Sequence, residues 1–76
     1  MSNNIRNTEV LERLGNRVKL LRSEKGYSQE ELGYAAEVEQ SQIHRIENAK
    51  TNVTLSTLSA LANAFGISLS ELLKGV

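Results

Sequence analysis

Between Gln29 and Asn48 the chain reads QEELGYAAEVEQSQIHRIEN, and this stretch decides the fold. Its apolar residues recur at intervals of three and four, as in Leu32 to Ala36 and Ile43 to Ile46, which is the helical period. Only about three residues, Glu37 to Glu39, are left to join the two halves, so two short helices must change direction abruptly there. That is the geometry of a helix-turn-helix. Any small helical bundle also has short helices and apolar stripes, so the pattern alone leaves both readings open.

Working outward, the start of each half carries a signal that recurs along the chain. An apolar residue stands before a cap position, a polar residue follows three later, and another apolar residue comes directly after it. Tyr27-Ser28 with Glu31-Leu32 fits this layout, as do Val38-Glu39 with Gln42-Ile43, Val53-Thr54 with Thr57-Leu58, and Ile67-Ser68 with Glu71-Leu72. The layout combines the capping box with the hydrophobic staple, in which the residue before the cap packs on the fourth helical residue and sets the entry angle of the chain. Glu39 is the weak member, because glutamate is not a preferred N-cap. Upstream, a first segment runs from about Thr8 to Lys25, with Leu11, Leu14, Val18 and Leu21 as its stripe and Gly26 as its stop. The expectation is an all-α chain of five helices, with one domain over residues 8–76 behind a flexible arm at 1–7.

Composition bounds the function. A chain of 76 residues has room for one small core. It contains no cysteine and no aspartate, and only one histidine, so thiolate metal sites, disulfides and thiol nucleophiles are excluded; with no phosphate loop or metal-ligand constellation in the sequence, an enzyme is not expected. Serines without a paired base read as helix caps. No cofactor or effector signal is present. No apolar run approaches the about 20 residues of a spanning helix, and the N-terminal residues lack the pattern of a signal peptide, so the chain reads as soluble and cytoplasmic with no membrane partner. Nine basic and nine acidic residues cancel, with six of each sign before Glu39 and three of each from there on. Nucleic-acid modules are usually basic. Any positive surface here must come from geometry rather than totals.

From Leu14 to Leu73 the sequence resembles the phage repressor and Cro-like helix-turn-helix family, the XRE type. The likeness rests on Val18-Lys19-Leu20-Leu21-Arg22, on Gly26-Tyr27-Ser28-Gln29-Glu30-Glu31-Leu32, on Ala36, Val38, Ser41, Ile43 and Arg45-Ile46-Glu47-Asn48, and on Leu58, Leu61-Ala62, Phe65-Gly66-Ile67-Ser68 and Leu72. The resemblance implies a five-helix repressor-like bundle. It also implies a sequence-specific transcriptional regulator, on the family pattern a repressor, that binds double-stranded DNA at a two-fold operator as a homodimer. A regulator that uses the same fold to engage another protein, such as an antitoxin, stays open as the alternative.

Physical reading of the third helix agrees with that implication. Advancing about 100° per residue from a buried Ile43 puts Ile46 and Glu47 on or beside the inner face, Ser41, Arg45 and Asn48 opposite, and His44 at the flank. Gln40 lies at the N-terminal end, where a recognition helix points at base edges. Gln40 suits bidentate pairing with adenine and Arg45 with guanine, whereas the Ser41 hydroxyl discriminates little. His44, without partners at ligand spacing, reads as a surface or DNA contact rather than a metal ligand.

The next three roles come from the resemblance alone. Gln29 matches a family glutamine that touches phosphate and braces the first glutamine of the recognition helix, here Gln40. Asn48 and Lys50 match positions that hold the phosphate backbone, and Arg22 with Glu47 matches a structural salt bridge. Arg6, Arg13, Arg17 and Lys19 could add positive charge along the arm and first helix. Leu69, Leu72, Leu73 and Val76 form an apolar C-terminal end that reads as a dimer interface. The sequence departs from the family at Glu37 and Ala49, where glycine is frequent, and at Gly33, where alanine is usual. Glutamates at 37 and 39 also set two negative charges beside the groove-facing end.

Overall fold

The computed structural model describes residues 6–76 and places them in five helices: α1 (Thr8–Lys25), α2 (Gln29–Ala36), α3 (Gln40–Glu47), α4 (Leu55–Phe65) and α5 (Leu69–Leu72). The all-α, five-helix expectation holds, and its start signals act as read. Ser28 Oγ accepts from the Glu31 N–H at 3.0 Å and the Glu31 carboxylate accepts from the Ser28 N–H at 2.8 Å, which completes a capping box. Hydrogen bonding to the Glu31 carboxylate, from the Ser28 backbone first and the Ser28 side chain second, holds that carboxyl below its ordinary pKa. Thr54 Oγ1 accepts from the Thr57 N–H and Ser68 Oγ from the Glu71 N–H, each at 3.1 Å. A cap of this kind contributes about 1 kcal/mol. Glu39 makes no such bond, as its residue type foretells.

The first five residues of the expected arm lie outside the described residues. Its last two are tied to the domain. Asn7 caps α1 by accepting from the Val10 N–H at 3.1 Å, and the Arg6 guanidinium donates to the Ala49 carbonyl.

The first four helices end alike. In each, one residue turns left-handed, its N–H bonds three residues back, and the next N–H bonds five residues back. The carbonyls reached by that second N–H belong to Arg22, Gly33, Arg45 and Ala62. Gly26 and Gly66 make two of these turns without penalty. Glu37 and Ala49 make the other two at φ 57°, a conformation that costs a residue with a Cβ about 1–2 kcal/mol.

Helix α1 packs on α3, α2 on α3 and α4, and α5 closes against α4. Val18, Leu32, Ile43, Ile46, Leu61 and Leu72 are enclosed completely, so every helix contributes to one core. Each such side chain is worth about 1.5–3 kcal/mol relative to exposure. Two glycines set how closely the helices approach. A Cβ on Gly15 would stand 2.6 Å from the Glu47 carbonyl oxygen, and one on Gly33 would stand 2.7 Å from that of Val38. Gly33 is therefore more than a weak helix former: only a bare Cα lets α2 lie against the turn that leads to α3.

Candidate nucleic-acid interface

Helix α3 has two faces of opposite character. Ile43 and Ile46 fix it to the core, and Glu47 is buried beside them, while Gln40, Ser41, His44, Arg45 and Asn48 are exposed on the other side. Gln40, Ser41, His44 and Arg45 line one shallow depression, with Gln29 at its edge. The four side chains expected at base edges are thus neighbours on one continuous surface. At the start of α3 no side chain caps the first-turn N–H groups, so the positive end of that helix is left to solvent or to an anion.

Glu47 holds this helix in orientation. Arg22 approaches it as a fork, Nε to Oε2 at 2.6 Å and Nη2 to Oε1 at 3.0 Å, while Arg22 Nη1 donates to the Tyr27 carbonyl at 3.0 Å. Gln29 Nε2 donates to Glu47 Oε1 at 3.1 Å. One carboxylate, 1% exposed, therefore ties α3 to α1 and to α2 at once. Hydrogen bonding to Glu47, opposed by desolvation and reinforced by its charge, raises the Arg22 pKa above the ordinary guanidinium value. Among the described residues no buried side-chain polar atom lacks a partner.

At the other end of α3, Asn48 Nδ2 donates to the His44 carbonyl at 2.8 Å, and the Lys50 N–H donates to the Arg45 carbonyl at 2.9 Å. These bonds leave the Lys50 side chain exposed beside the last turn. Glu37 and Glu39 line a separate hollow with Glu30 and the 78%-exposed Tyr34, which shares Gln40 with the depression on α3.

Three expectations need correction. The Gln29 amide braces Glu47, not Gln40, because the buried carboxylate is the stronger acceptor within reach. Leu72 is fully enclosed in its own core and has no surface to give a partner, whereas Leu69, Leu73 and Val76 keep partial exposure. Arg17 does not add to a charged face: Nε donates to the Leu72 carbonyl at 3.1 Å and Nη2 to the Glu71 carbonyl at 2.8 Å, closing the end of α5. Nothing local marks Arg17 for this, since its partners lie more than fifty residues away. Gly15 was also missed, for the same reason.

Known proteins agree with this geometry. The family model described as a helix-turn-helix domain matches residues 13–73. The control protein C.MunI from a Mycoplasma species is 38% identical over 65 residues, spanning 84% of this chain and 88% of that protein. The transcriptional regulator DdrOP3 of Deinococcus deserti is 34% identical over 64 residues, and there the chain spans 50% of the relative's length. Among solved structures, the restriction-modification controller protein C.AhdI from Aeromonas hydrophila superimposes with a TM-score of 0.79 at 35% identity, over 82% of this chain and 94% of that one. The chain belongs to the helix-turn-helix family of DNA-binding transcriptional regulators, in its XRE, phage-repressor branch.

Proposed function

We propose that this protein is a sequence-specific regulator, a repressor in its basic action, that binds a two-fold DNA operator as a homodimer. One observation carries the reading: α3 presents Gln40, Ser41, His44 and Arg45 together on its outer face, while its inner face is locked by Ile43, Ile46 and the Glu47 network. Rigid backing matters because a bidentate contact loses its discrimination when the donor is misplaced. Gln40 reads adenine and Arg45 reads guanine, with Ser41 and His44 as secondary contacts at the groove. Lys50 and Asn48 hold phosphate, which positions the helix without reading sequence. Gln29 serves through Glu47, fixing the angle at which α3 enters the groove.

Leu69, Leu73 and Val76 supply the dimer contact. Leu73 and Val76 also border an apolar groove with Val10, Val53 and Leu58, a surface that suits a protein partner better than water. A second copy of the chain is the occupant that a two-fold operator requires. Selection of sites from random duplex DNA tests the proposal. The expected product is a two-fold sequence with half-sites about one helical turn apart. If no sequence is enriched, the surface serves a protein partner instead, as an antitoxin-like role would require.

A further inference from the structure

Ion pairing in the fold leaves some of the basic residues without an acidic partner. Arg13, Arg17 and Arg22 have acidic partners in Glu9, Glu71 and Glu47, and Arg6 is committed to the Ala49 carbonyl. Among the described residues Lys19, Lys25, Arg45, Lys50 and Lys74 have no ion-pair partner, and of these Lys19 and Lys50 line one groove. Arg45 lies on the outer face of α3. Lys19 and Lys50 lie across from each other in a polar groove between α1 and the last turn of α3, with Asn16, Asn48, Arg6 and Glu12 along it. Asn48 belongs both to this groove and to the exposed side of α3, so the two surfaces are continuous.

We infer that this groove is a second backbone-holding surface for DNA, in which Lys19 is a phosphate contact that α1 contributes alongside Lys50. The inference rests on the DNA-binding reading above and extends it beyond the recognition helix. The chemistry is matched: two unpaired ammonium groups provide charge, and the Asn16 and Asn48 amides provide neutral donors to phosphate oxygens. The close approach of α1 and α3 at Gly15 holds the two walls together, and the Arg6 bond to Ala49 keeps the entering chain along the rim. Glu12 limits the site, since its carboxylate sits in the same groove and opposes an anion. A net-neutral protein can in this way give DNA a locally positive strip, because Arg6, Lys19 and Lys50 line one groove with Glu12 as the exposed acid.

The test is the salt dependence of binding by the full chain, measured on a selected duplex and on a random duplex of equal length. Lys19→Ala should reduce the slope of log K against log salt by about 0.9 per subunit on both DNAs, with Lys19→Arg retaining the parent slope. Glu12→Gln should tighten binding to both, most at low salt. An unchanged slope for Lys19→Ala, while Lys50→Ala still lowers it, would show that the backbone contact stops at Lys50 and would overturn the inference alone. Loss confined to the selected duplex would overturn it too, since a phosphate contact is blind to sequence. Absence of binding by the parent to either duplex would instead remove the DNA-binding reading and this inference with it.

Discussion

The carbonyl oxygen of Glu47 lies 2.6 Å from the point at which a Cβ would stand on Gly15, and the carbonyl of Ile46 lies 2.8 Å from it. Both neighbours are backbone, so neither can swing aside. This contact fixes the distance between α1 and the end of α3, and the side-chain link from Arg22 to Glu47 is made across the same seam.

Gly15→Ala should therefore destabilise the domain by about 1–3 kcal/mol, although alanine is the better helix former by about 1 kcal/mol. Gly33→Ala should behave alike, because the Val38 carbonyl stands 2.7 Å from its Cβ position. Thermal or urea unfolding checks both. Stabilisation by either alanine would show that the helices are less closely packed than described.

Removal of Arg22 from the Arg22–Glu47 pair should cost about 3–5 kcal/mol, since the Glu47 charge stays inside. Arg22→Met leaves a carboxylate that is 1% exposed with only Gln29 as a donor. Gln29→Ala should be milder, about 1 kcal/mol, because Arg22 still satisfies Glu47. A Gln29→Ala loss as large as that of Arg22→Met would contradict this ranking in chemical unfolding.

Glu37 and Ala49 hold left-handed turns that glycine would make without strain. Glu37→Gly and Ala49→Gly should each stabilise by about 0.5–1 kcal/mol, the relief of strain being partly offset by the greater freedom of glycine in the unfolded chain. Glu37→Gln retains the strain and should stay within about 0.5 kcal/mol of the parent. Equal gains from Gly and Gln would point to charge, not backbone, as the source.

Leu73→Glu and Val76→Glu should give a folded monomer in sedimentation equilibrium, because both side chains keep exposure at the proposed dimer contact. Leu72→Ala should instead lower stability by about 2–5 kcal/mol in each protomer. A parent that sediments as a monomer at concentrations of about tens of micromolar, with or without DNA, would remove the dimer from the account.

What was legible in the sequence is what is local. The caps at Ser28, Thr54 and Ser68, the glycine stop at Gly26 and the inward face of Ile43 and Ile46 are each written within about four residues. So is the outward set of Gln40, Ser41 and Arg45, because helical periodicity alone separates it from the core. The misreadings concern partners distant in the chain. Gln29 sits 18 residues from Glu47, and Arg17 sits 55 from Leu72, so no spacing rule connects them. Leu69, Leu72 and Leu73 read alike as apolar residues near the C-terminus, and only the path of α5 across α4 decides which one is enclosed. Gly15 escaped notice because a glycine inside a helix reveals nothing of what presses against it.

The most direct test of the central claim is competition binding of Gln40→Ala and Arg45→Ala against every single-base variant of the selected operator. Each substitution should remove about 1–3 kcal/mol of discrimination at one base pair per half-site and leave the other positions unchanged. For Gln40→Ala, affinity for random DNA should change far less than affinity for the selected site. Base preferences identical to those of the parent in both variants would contradict the claim that this face of α3 reads sequence.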